Sequence, residues 1–106
     1  MSRRSDGAML TVIWWRDIPA QVTARRGEHV VRRELSPQFQ VAIDRAAMHA
    51  GLIGTDAYLD EWRKVTTPCD EDLQTAVDAV AADLEETYPA TRLARVAGNL
   101  GYEEQP

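Results

Sequence analysis

The chain has 106 residues, 44% of them hydrophobic and 27% charged, with a net charge of −5 and one cysteine. That balance describes one ordinary globular domain and excludes a disordered chain, a collagen-like repeat and a disulfide miniprotein. No apolar run approaches the roughly 18 residues of a membrane span, and a lone cysteine makes the cytoplasm the expected compartment.

The charge is uneven along the chain. Residues 1–33 hold seven arginines against Asp6, Asp17 and Glu28, whereas residues 34–106 hold five basic and fourteen acidic side chains. A net negative chain argues against a dedicated nucleic-acid binder. Arg3 and Arg4 before an apolar stretch imitate an export signal, but Asp6 and Gly7 interrupt it and no small-residue cleavage site follows. The expected organisation is a tail over 1–8, a single domain over 9–100 and a second tail over 101–106.

Residues 10–15 (Leu-Thr-Val-Ile-Trp-Trp) are β-branched and aromatic and predict a buried strand, broken by Arg16-Asp17-Ile18-Pro19. Segments 20–25 and 29–35 predict two more strands around a turn containing Gly27, with Arg25, Arg26, Arg32 and Arg33 pointing mostly outward. Ser36-Pro37 then marks a helix start. Phe39, Ile43, Ala46 and Ala50 recur at helical spacing until Gly51. Thr55 caps a short helix carrying Tyr58, Leu59 and Trp62, on which Asp60 and Lys64 form an i,i+4 pair. Thr67-Pro68 starts a third helix, with Asp70 completing a capping box. Its apolar stripe is Leu73, Val77, Val80, Ala81 and Leu84. A last helix after Tyr88-Pro89 carries Leu93, Val96 and Leu100. Strands first and helices after predict an α+β fold: a small antiparallel sheet of about three strands packed against three to four helices.

The residues point to no catalytic centre. Cys69 falls in the first turn of the acidic helix, where the dipole lowers a thiol pKa, yet Asp70, Glu71 and Asp72 act against it. Cys69, His29 and His49 lack metal-ligand spacing, and Gly51-Leu52-Ile53-Gly54 lacks the lysine and hydroxyl of a P-loop. No cofactor, structural metal or membrane partner is expected. Trp14 and Trp15 face opposite sides of a strand, so one joins the core and the other is free for a partner. Tryptophan beside arginine is the composition of an interface hot spot. The predicted interaction surface is therefore Trp14, Trp15, Arg16 and Asp17 with Arg25, Arg26, Arg32 and Arg33, and the predicted partner is a protein. Three alternatives stand beside it. The basic hairpin binds nucleic acid, Arg16 holds a folate-like anion in a small ligand-binding subunit or enzyme, or the arginines pair with acids on the chain's own helices.

The segment Ile-Trp-Trp-Arg-Asp-Ile-Pro-Ala-Gln-Val (13–22), followed by Leu35-Ser36-Pro37-Gln38-Phe39-Gln40, Ala42-Ile43-Asp44-Arg45-Ala46-Ala47-Met48 and Tyr58-Leu59-Asp60-Glu61-Trp62, resembles the small bacterial "virulence factor" domain family over about residues 9–90. The resemblance implies an accessory domain. Similar domains occur alone or beside a NifU-like scaffold segment and HEAT repeats. The stand-alone ones accompany one-carbon and corrinoid methyl-transfer genes, which implies a methyl-transfer enzyme as partner. The family lends this chain no catalytic residues; it implies 14–19 as the working surface.

Overall fold

The computed structural model describes residues 7–103. Its elements are β1 (Met9–Trp15), β2 (Ile18–Arg26), β3 (His29–Glu34), α1 (Pro37–His49), α2 (Asp56–Asp60), β4 (Trp62–Pro68), α3 (Leu73–Thr87) and α4 (Ala90–Gly98). The strands form one antiparallel sheet in the order β3-β2-β1-β4. The class is α+β, as the residue pattern predicts, with a fourth strand added.

That strand is where the expectation departs from the structure. Trp62 lies four residues after Tyr58 and reads as a helical position, but it opens β4 opposite Trp15. Lys64 stands opposite Ile13 in the same ladder, so the expected Asp60–Lys64 helical pair does not form. Residues 63–68 are all exposed, and an edge strand wet on both faces carries no apolar alternation to reveal it. Pro68 consequently ends a strand, and the next helix begins at Leu73, capped by Asp72, whose carboxylate accepts from the Thr75 N–H at 3.2 Å.

One face of the sheet is apolar. Leu10 and Val12 of β1 and Val22 and Ala24 of β2 point into a core completed by Phe39 and Ile43 of α1, Val77 and Ala81 of α3, and Leu93 and Val96 of α4. Helix α3 lies over β2 and β3, while α4 packs on α1. Ser36 stands at the N-cap of α1 without capping it. Its hydroxyl and backbone N–H instead donate to the Glu85 carboxylate at 2.9 and 2.6 Å, tying the start of α1 to the end of α3. Residues 100–103 fold back rather than trail: Leu100 is 40% exposed and left-handed, and Gly101 is buried against the β1–β2 turn. Ala8 belongs to the core. The predicted tail over 1–8 otherwise lies largely outside the described residues.

Candidate interaction surface

The two tryptophans divide as strand geometry requires, and it is Trp15 that is buried. Trp14 lies on the helix side, edge-on to Tyr88 at 6.3 Å, with Tyr88 in turn edge-on to Phe39. Trp15 points to the opposite face and is 0% exposed. Helix α2 covers it: the indole N–H donates to the Tyr58 carbonyl at 2.9 Å, and the two rings lie 5.6 Å apart. The expectation that Trp15 anchors a partner is therefore corrected; it is a core residue and presents no surface.

Arg16 is also enclosed. With φ of 54° it occupies the left-handed region in the tight β1–β2 turn, a conformation that costs a non-glycine residue about 1–2 kcal/mol. The turn is held from both sides. Arg16 N–H donates to Glu61 and Asp17 N–H to Gly101, at 3.2 and 2.9 Å. The guanidinium lies between the Trp15 and Tyr102 rings, 5.1 and 4.5 Å from their centroids, and donates to the Leu100 carbonyl at 2.8 Å. Its Nε lies 3.3 Å from a Glu61 oxygen but is not aligned for a hydrogen bond. A side chain 10% exposed and so occupied is not available to a folate-like anion. Asp17 accepts from the Glu103 N–H at 2.8 Å and pairs with Arg63 at 3.6 Å. Arg63 stacks on Trp14, and Arg92 stacks on Tyr88 while bonding Glu103 at 3.0 Å. Burial, and then the Glu103 charge, push the Tyr88 phenol above its usual range. The β1–β2 turn is thus a structural clasp between the sheet and the end of α4.

The four hairpin arginines separate by strand parity. Arg26 and Arg33 point to the helix side and pair with Glu71 and Asp78 of the acidic second half, at 3.8 and 2.9 Å. Arg25 stands opposite Met9, and Arg32 opposite Thr23, on the outer face of the sheet. Lys64 joins them there from β4, a residue the sequence reading missed; the β-branched run Val65-Thr66-Thr67 beside it was the available signal. Together these cations border a shallow depression of about 380 Å³, floored by Thr11, Ile13 and Thr23. A second of about 500 Å³ adjoins it, sharing Ile13 and Gln21, with Glu34 at its rim. Among the described residues, Arg16, Arg26, Arg33, Arg63, Arg92 and Arg95 each have a carboxylate partner. Arg25, Arg32, Lys64 and the α1 residue Arg45 have none, and three of those four share the outer face.

Cys69 lies in the link between β4 and α3, ahead of the helix rather than in its first turn, so the dipole does not activate it. Burial, and then Asp70, push its thiol above the usual range. Cys69 is accordingly expected to react with a disulfide reagent at pH 8 more slowly than a free cysteine; reaction as fast as the free thiol would contradict the placement. Among the described residues no three His, Cys, Asp or Glu side chains converge as metal ligands do, and no helix is long and apolar enough to cross a membrane.

Fold and surface together define a small α+β domain with α1, α3 and α4 on one sheet face, and a second face that α2 closes at one end and that is open and basic over the rest. The family model described as virulence factor matches residues 13–97, and the chain belongs to that family. No curated protein and no solved structure matches it.

Proposed function

We propose that this chain is a non-enzymatic accessory module of the cytoplasm that docks an acidic protein surface against the outer face of its sheet. The observation that carries the reading is selective pairing. Among the described residues every other arginine except Arg45 of α1 has a carboxylate partner, whereas Arg25, Arg32 and Lys64 stand unpaired together on one open surface. Such cations keep their charge for a partner and steer its approach. Their floor of threonines, Ile13 and Gln21 offers hydroxyl, amide and apolar contacts at low conformational cost. The resemblance described above makes a one-carbon or corrinoid methyl-transfer protein the first partner to test.

Arg25→Glu combined with Arg32→Glu is expected to leave stability within about 0.5 kcal/mol, because both residues are exposed. Affinity purification of the tagged chain from its host at low and high salt recovers the partner, and the double variant is expected to lower affinity for that co-purified protein by about tenfold or more. Arg26→Glu with Arg33→Glu, which breaks the pairs to Glu71 and Asp78 instead, serves as the control. Equal losses from the two double variants, or none from the first, would refute the assignment. Nucleic acid in the eluate, with affinity collapsing steeply in salt, would move the reading to the phosphate-binding alternative.

A further inference from the structure

The edge of β4 carries an inference separate from the open face. Among the described residues no strand pairs with β4 on the side away from β1. The phase of the β1–β4 ladder follows from its two ends: Arg16 N–H donates to the Glu61 carbonyl at 3.2 Å, and Cys69 N–H to the Ala8 carbonyl at 3.0 Å. Hydrogen-bonded positions alternate in an antiparallel pair. Arg63, Val65 and Thr67 therefore direct their backbone groups at β1, and Lys64 and Thr66 direct theirs outward.

We propose that β4 pairs with β4 of a second copy of this chain, antiparallel, about a two-fold axis at Val65. In that register Lys64 exchanges both backbone bonds with Thr66 of the other copy, twice over, while Val65 faces Val65 and Arg63 faces Thr67. No charge opposes its like, and β-branched side chains lie opposite one another, as cross-strand pairing favours. The neighbouring registers of the same phase are worse. Centring on Lys64 sets lysine against lysine, and centring on Thr66 brings Pro68, which has no N–H to give, from opposite Trp62 at the strand ends to opposite Lys64 and shortens the ladder. Val65, 42% exposed, gains an apolar partner. The product is one continuous eight-stranded antiparallel sheet. Its outer face carries Arg25, Arg32 and Lys64 twice, a bivalent surface for an acidic partner.

Sedimentation equilibrium of the full chain tests this, and the expected mass is twice the 11.9 kDa of one chain. Thr66→Pro removes an outward N–H, leaves the backbone bonds to β1 in place and gives up only the exposed 2.8 Å hydroxyl contact with Thr11, and it is expected to give a monomer with an unchanged circular dichroism spectrum. Val65→Cys in a Cys69→Ser background keeps the proposal testable should that variant fail to fold. Facing non-hydrogen-bonded residues lie about 4.5 Å apart, within disulfide reach. A mild oxidant such as diamide is then expected to yield a reducible covalent dimer. Thr67→Cys in the same background faces Arg63 and is expected to stay uncrosslinked. A wild-type monomer at every concentration, a dimer that survives Thr66→Pro, or crosslinking at position 67 rather than 65 would overturn the proposal.

Discussion

Trp15→Ala is expected to lower folding stability by about 3–5 kcal/mol, the range for a fully buried large aromatic, out of the roughly 5–15 kcal/mol that holds a typical domain together. The side chain has no exposed surface, and its loss removes three things at once. The indole N–H leaves the Tyr58 carbonyl without its donor, the Tyr58 ring loses its neighbour, and the Arg16 guanidinium loses one of the two aromatic faces that hold it. Urea denaturation gives the number directly. Trp14→Ala is the comparison, because Trp14 is only half-buried and its indole nitrogen has no hydrogen-bond partner among the described residues to lose. A larger loss at Trp14 than at Trp15 would contradict the assignment of the two faces.

Gly101→Ala is expected to destabilise the domain by about 3 kcal/mol, combining backbone strain with overpacking. Gly101 has φ of 93°, where an L side chain is strained, and its new Cβ would lie 3.0 Å from Cζ3 of Trp15 and 3.3 Å from two carbons of Arg16. Trp15 is pinned by α2, so the crowded atoms have little room to give. Gly54→Ala separates the two contributions, since Gly54 has φ of 79° but nothing within 4 Å of an added Cβ. It should show the backbone part alone, about 1 kcal/mol. Equal losses at the two glycines would mean that the segment 100–103 does not press on the turn as described. The same segment links Asp17, Arg92 and Arg95 through Glu103, so its displacement loosens the end of α4 as well.

Residue patterning foretold the elements that bury a stripe and hid the one that does not. The β1 segment, α1, α3 and α4 announce themselves by apolar spacing, and Gly51 and Tyr88-Pro89 end their helices where the pattern stops. Strand β4 buries almost nothing, so its pairing with β1 comes from backbone geometry that no periodicity records. Without β4, Arg63 and Lys64 had no place on a sheet. The fates of Arg25, Arg26, Arg32 and Arg33 depended on register. The pairing of Arg26 with His29, across a turn with Gly27 at φ of 62°, decides which two meet Glu71 and Asp78. Trp15 was misplaced for a related reason: a sheet with one covered face leaves that side open, but α2 and Gly101 close its end. Cys69 moved out of a helix because Thr67-Pro68, a good start signal, had already been taken by the strand.

The most direct test of the account is a chemical-shift map of the isotope-labelled chain, titrated with its co-purified partner. The predicted result is a set of perturbed backbone and side-chain resonances running across the sheet through Thr11, Gln21, Thr23, Arg25, Arg32 and Lys64, and weakened by salt. Arg26, Arg33 and the groove of about 130 Å³ between α1 and α4, lined by Val41 and Ala94 among others, should stay unchanged. Perturbations confined to that helical groove, with the outer face silent, would contradict the claim that the open sheet is the working surface.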